Sequence, residues 1–107
     1  MIVWYKEPRL MGHERQINGS LESLQELVDG PIEVVRFKKD SRYALIVNEE
    51  GMLRGDMVLN LIIGGHFLFG PVVIVGLMTN EDGEQDFCSV NLNMRQVRKL
   101  ILNEGGF

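Results

Sequence analysis

The run Pro71-Val72-Val73-Ile74-Val75-Gly76 constrains this chain more than any other segment. Four consecutive β-branched residues favour an extended strand, whose alternate side chains point to opposite faces. No polar residue alternates with them, so both faces of that strand need cover. The wider stretch from Met57 to Leu77 is also apolar, but Asn60, Gly64, Gly65, His66, Gly70 and Pro71 interrupt it. A membrane-spanning helix needs about 20 mostly apolar, helix-compatible residues. The stretch therefore predicts strands and turns, and no membrane association is expected. At 107 residues, 45% apolar and 24% charged, the chain has the length and composition of one soluble globular domain.

Around that strand the sequence predicts further elements. Ile2 to Lys6 is β-branched and aromatic and stops before Pro8, as a first strand would; Glu14 to Asn18 follows as a short second one. Leu21, Leu24, Leu27 and Val28 recur on one helical face, which places a helix over Ser20 to Val28, capped by Asn18 or Ser20. Asp29-Gly30-Pro31 ends it, with the glycine expected to take the left-handed exit. Ile32 to Phe37 and Arg42 to Asn48 form a hairpin about Lys38 to Ser41, and Glu49-Glu50-Gly51 makes the next turn. Met57 to Ile63 is open between helix and strand. His66 to Phe69 and Val72 to Leu77 read as two strands of a buried sheet, followed by an acidic turn from Thr79 to Asp86. Met94, Val97, Leu100 and Ile101 mark a last helix from about Asn91 to Leu102. Gly105-Gly106 closes it, leaving Phe107 as a loose end. The expected fold class is α+β: a single domain over residues 1–107, with a mostly antiparallel sheet and two helices packed on one side of it.

Several chemistries are disfavoured. Fifteen acidic residues against eleven basic ones give a net charge of −4, the wrong sign for general nucleic-acid binding. A single cysteine, Cys88, excludes an intrachain disulfide and fits a reducing, cytoplasmic setting. His13, His66 and Cys88 lack the close spacing of metal ligands, so no metal and no cofactor is expected. The loop from Asn80 to Asp86 has Met78 and Ser89 where an EF-hand needs acids, which leaves a solvated hairpin turn. Nothing in the spacing pairs Cys88 with either histidine as a nucleophile, and Glu49-Glu50 sits in a turn where both acids face water. No catalytic group is expected. Gly64-Gly65 suits a sharp turn or a close backbone approach to a ligand. Two cationic groups, one around Arg36, Lys38, Lys39 and Arg42 and one of Arg95, Arg98 and Lys99, would make an anion site if the fold joined them, with Trp4, Tyr5 or Tyr43 available to stack on a base.

Leu21 to Val35 resembles the helix-to-strand core of the small family called domain of unknown function 3846. Asn48-Glu49-Glu50-Gly51-Met52-Leu53 is similar to its "NEEG" signature, Leu59-Asn60 to the "plN" that follows, Gly65 to Gly76 to its glycine-bounded strands, and Asp86-Phe87-Cys88-Ser89 to its "DFtSL". Asp29 stands where the family has a glycine, Pro31 where it has an aromatic residue, and Leu61 where it has an arginine. The resemblance implies a phage or mobile-element accessory protein inside a bacterial cell. The resulting expectation is a non-enzymatic protein that sequesters a small anionic ligand, such as a nucleotide immune signal, and works as a homo-oligomer. Its ligand-binding candidates are Asn48, Glu49, Glu50, Asn60, Arg36, Arg42, Gly64 and Gly65. The alternative is an adaptor or inhibitor that uses its acidic surface against a host protein.

Overall fold

A computed structural model describes residues 1–106; the expected loose end at Phe107 lies outside them. In chain order the elements are β1 (Ile2–Lys6), β2 (His13–Gln16), α1 (Leu21–Val28), β3 (Ile32–Arg36), β4 (Tyr43–Asn48), β5 (Leu59–Ile63), β6 (His66–Phe69), β7 (Val72–Thr79), β8 (Gln85–Cys88) and α2 (Met94–Asn103). Six strands form one sheet in the order β2-β1-β7-β4-β3, with β8 also paired to β7; β5 and β6 form a separate hairpin. Every pairing is antiparallel. The architecture is α+β.

The valine-rich run is the middle strand, and both of its faces are buried. Val73 and Val75 point to one side with Val3, Tyr5, Ala44 and Ile46, where Leu24, Leu27 and Val28 of α1 cover them. Val72 and Ile74 point to the other side with Trp4, Leu45 and Val47, under Val97 and Leu100 of α2 and Leu61, Ile63 and Leu68 of the β5–β6 hairpin. The helices thus lie on opposite faces, not on one. A sheet without a polar face needs a cover on each side, which α1 supplies on one face and α2 with the β5–β6 hairpin on the other. Leu21, expected on the buried stripe of α1, is more than half exposed, while Leu24, Leu27 and Val28 are buried.

Local chemistry sets the element ends. Ser20 caps α1 by accepting from the Ser23 N–H at 3.1 Å. Asn93 and Gln96 exchange hydrogen bonds in a capping box at the start of α2. Such a cap contributes about 1 kcal/mol. The left-handed exit of α1 is Asp29 itself, at φ 61°, while Gly30 follows at φ 151°. Asp29 therefore occupies a left-handed conformation that glycine adopts freely.

One open assignment is settled, and two strands differ from expectation. Met57–Ile63 resolves into β5, which pairs with β6. Hence β6 does not join the main sheet: the chain reverses at Gly70, φ 79°, and enters the main sheet only at β7. The acidic loop is the tip of a β7–β8 hairpin, where the Asn80 side-chain oxygen accepts from the Asp82 and Glu84 N–H groups. Its second strand opens with Gln85-Asp86, which carries no apolar alternation to reveal it. Among the described residues, no helix is long and apolar enough to cross a membrane.

Candidate functional site

The "NEEG" signature sits where β4 leaves the sheet. Asn48 is buried, and its side chain ties three segments together. Its Nδ2 donates to the carbonyls of Val28 and Asp29, both at 3.0 Å, and its Oδ1 accepts from the Glu50 N–H at 2.7 Å. The first two bonds satisfy carbonyls that the end of α1 leaves unpaired. Gly30 makes room for this amide: a Cβ there would lie 2.7 Å from Nδ2. Gly51 is pressed against the opposite hairpin, where a Cβ would come within 2.9 Å of the Phe69 carbonyl oxygen. Glu49 and Glu50 carry exposed side chains. The signature thus forms a structural corner that locks α1, β4 and the β5–β6 hairpin.

Asn60 plays a matching part. It is the extra residue of a β-bulge, between the pairs Leu59–Phe69 and Leu61–Leu68. A bulge re-aims its side chain. Here Nδ2 donates to the carbonyls of Lys6 and Gly70, both at 2.9 Å, and Oδ1 accepts from the Lys6 ammonium. Leu61, in place of the family's arginine, is buried in the core.

The remaining candidates scatter. Gly64 and Gly65 make the β5–β6 turn at φ 54° and 83°. Arg36 donates to the Gln85 side chain at 2.6 Å. Arg42 is clamped by Asp40, donating from Nε at 2.9 Å and from Nη2 at 2.7 Å. These bonds hold the Asp40 carboxyl below its ordinary 3.8. The two cationic groups meet at one point, a cleft of about 220 Å³ shared by Arg42 and Lys99, but Asp40 occupies it too. Asn48, Glu49 and Gly65 border another cleft, of about 380 Å³, with Glu33 and His66. The eight residues therefore do not converge on one site. Cys88 lies against Gly76, where a Cβ would be 2.7 Å from its sulfur. Among the described residues, no group of three or more His, Cys, Asp or Glu is placed to hold a metal ion.

The largest apolar recess was not legible in the sequence. It is an open groove of about 640 Å³ between the β1–β2 connection and α2. Trp4 and Leu61 form its floor, Leu10 and Met11 one wall, and Met94 and Ile101 the other. Lys6, Arg9 and Arg98 stand at its rim. Burial pulls the Lys6 ammonium below its ordinary 10.5, and that group is already committed to Asn60. Arg9 and Arg98 have no side-chain hydrogen bond or ion pair among the described residues. Arg9 also holds a left-handed backbone at φ 67°, a conformation that costs a non-glycine residue free energy. Two adjacent apolar residues inside a turn, Leu10-Met11, were the one sequence signal for this wall. The opposite wall follows from Met94, Arg98 and Leu102 falling one helical turn apart.

The family described as Domain of unknown function (DUF3846) matches residues 1–102, nearly the whole chain and both walls of the groove. No curated protein and no solved structure matches.

Proposed function

The chain belongs to the DUF3846 family, and we propose that it is a non-enzymatic binding protein that captures a small anionic ligand with an apolar or aromatic body, a nucleotide above all, in the groove between Leu10-Met11 and α2. The groove carries this reading. Its volume of about 640 Å³ falls within the range of small-molecule sites, about 300–1,000 Å³. Its apolar floor suits a base or acyl body, and two guanidiniums at the rim suit a phosphate or carboxylate, which arginine binds in bidentate fashion. Lys6, the amine at its rim, is committed to Asn60, and capture rather than turnover is the expected outcome. In this reading the biological setting is counter-defence, with a phage or mobile-element protein withholding a nucleotide immune signal from its receptor in the bacterial cytoplasm.

The test is native mass spectrometry of protein taken from a bacterial cytosol, with thermal-shift measurements across a nucleotide panel. A stoichiometric nucleotide mass, or a stabilising shift with one panel member, is expected. The double variant Arg9→Glu, Arg98→Glu should weaken that binding at least tenfold and leave the ligand-free melting temperature within a few degrees. A clean apo mass with no shift across the panel, or unchanged affinity in the double variant, overturns the reading.

A further inference from the structure

The two ends of the main sheet are built differently. β2, at one end, reads His13-Glu14-Arg15-Gln16, and all four residues are exposed and polar. Charged, short edges of this kind resist pairing with another chain. β3, at the other end, has β4 as its single strand neighbour among the described residues and reads Ile32-Glu33-Val34-Val35-Arg36. Beside it runs an apolar fringe: Val34 is 37% exposed, Phe67 52%, Met52 62% and Leu53 87%. Met52, Leu53 and Phe67 line a single cleft with Glu33 and Val35 of the edge strand. Exposed apolar groups gathered along an unpaired edge mark a contact surface.

The hydrogen-bond phase of β3 specifies how that edge can pair. The Glu49 N–H donates to the Pro31 carbonyl at 2.8 Å. In the antiparallel register Glu33 then faces Val47, and Val35 faces Leu45, as hydrogen-bonded pairs. The N–H and C=O groups of Ile32, Val34 and Arg36 consequently point away from the sheet. We propose that this edge binds a second copy of the chain, β3 against β3 in antiparallel fashion, about a two-fold axis through Val34. In that register Val34 meets Val34, Ile32 meets Arg36, and Glu33 meets Val35. All three outward-facing residues of each strand are paired, and no like charges stand opposite each other. A slip of two residues toward the C-terminus leaves Ile32 outside the strand pairing; a slip the other way leaves out Arg36. The two-fold pairing joins the main sheets of two copies and brings both apolar fringes to the junction. The ligand groove at the opposite end of the sheet stays open.

Light scattering should give a mass near twice the 12.2 kDa of the chain. Val34→Lys puts two ammonium groups face to face on the axis and should yield a folded monomer. In a Cys88→Ser background, Val34→Cys should form an intermolecular disulfide under mild oxidation, because hydrogen-bonded antiparallel partners have Cα atoms about 5.5 Å apart, within disulfide reach. Glu33→Cys in the same background should not, since its two copies lie roughly 8 Å apart along and across the strands. A wild-type monomer at high concentration, a Val34→Lys dimer, or cross-linking through position 33 in preference to 34 would overturn the proposal. Should Val34→Lys fail to fold by circular dichroism, the cysteine pattern decides alone.

Discussion

Replacing Asn48 with alanine tests whether the "NEEG" signature holds the fold together or presents a ligand site. The side chain is buried and makes three hydrogen bonds, two to carbonyls at the end of α1 and one from the Glu50 N–H. A typical internal hydrogen bond contributes about 1 kcal/mol net, and a buried group left without a partner costs about 1–3 kcal/mol. Water can reach the Asp29 and Glu50 ends of this network, whereas the bond to Val28 is fully buried. The expected loss is therefore about 3–4 kcal/mol, out of the roughly 5–15 kcal/mol that holds a domain together. For a chain of this size that lowers the melting temperature by about 12 °C or more. Urea unfolding gives the free energy directly, provided the slope against denaturant matches the wild type. Glu49→Ala, one residue along with an exposed side chain, should stay within about 0.5 kcal/mol. A loss under about 1 kcal/mol for Asn48→Ala would refute the structural account of the signature.

Further predictions follow from neighbouring features. Gly30→Ala forces a Cβ to 2.7 Å from the Asn48 amide at a backbone φ of 151°, and should destabilise by about 2 kcal/mol or more. In the Asn48→Ala background the same change should cost less, which a double-mutant cycle in urea would detect as coupling. Asp40 titrates below 3.8, first because Arg42 donates to it, so its contribution to stability is complete above that value and lost as pH falls through the lower folded one. Asp40→Asn should flatten that part of the acid limb in melting temperature against pH. The Tyr5 phenol is raised above 10.0, by burial first and then by its hydrogen bond to Glu7, so the unfolded chain releases this proton earlier. Stability should then fall as pH rises past 10.0, and Tyr5→Phe should remove that component of the fall.

Segments whose own pattern matches their surroundings were legible. The apolar stripe of α1 and the β3–β4 hairpin appear close to where periodicity and turn residues put them. β8 was hidden because half of it is Gln85-Asp86, and a strand held by pairing to β7 needs no apolar alternation of its own. β5 was ambiguous because its partner β6, and the bulge at Asn60, decide its conformation. Among the candidate site residues, Asn48 and Asn60 were singled out by the family resemblance, through "NEEG" and "plN". Such residues serve equally as ligand contacts or as internal ties, and only their partners tell the two apart. Of the cations beside β3 and β4, Arg36 donates to Gln85, remote in sequence, and Arg42 to Asp40, two residues away, and neither partner was considered for them in the sequence.

By itself the sequence determined that one strand must be covered on both faces, because Val72 to Val75 offers no polar side. It also determined that α1 ends at Asp29-Gly30-Pro31 and that two turns at Gly51 and Gly64-Gly65 separate the later strands. Those are local properties, set by side-chain branching, backbone freedom and periodicity within a few residues. The tertiary structure alone decided that the helices take opposite faces, that Asn48 and Asn60 are internal ties, and that Arg9 and Arg98 line one groove with Trp4 and Leu61. These depend on contacts between residues dozens of positions apart, which hydrophobic burial selects by area and shape rather than by sequence order.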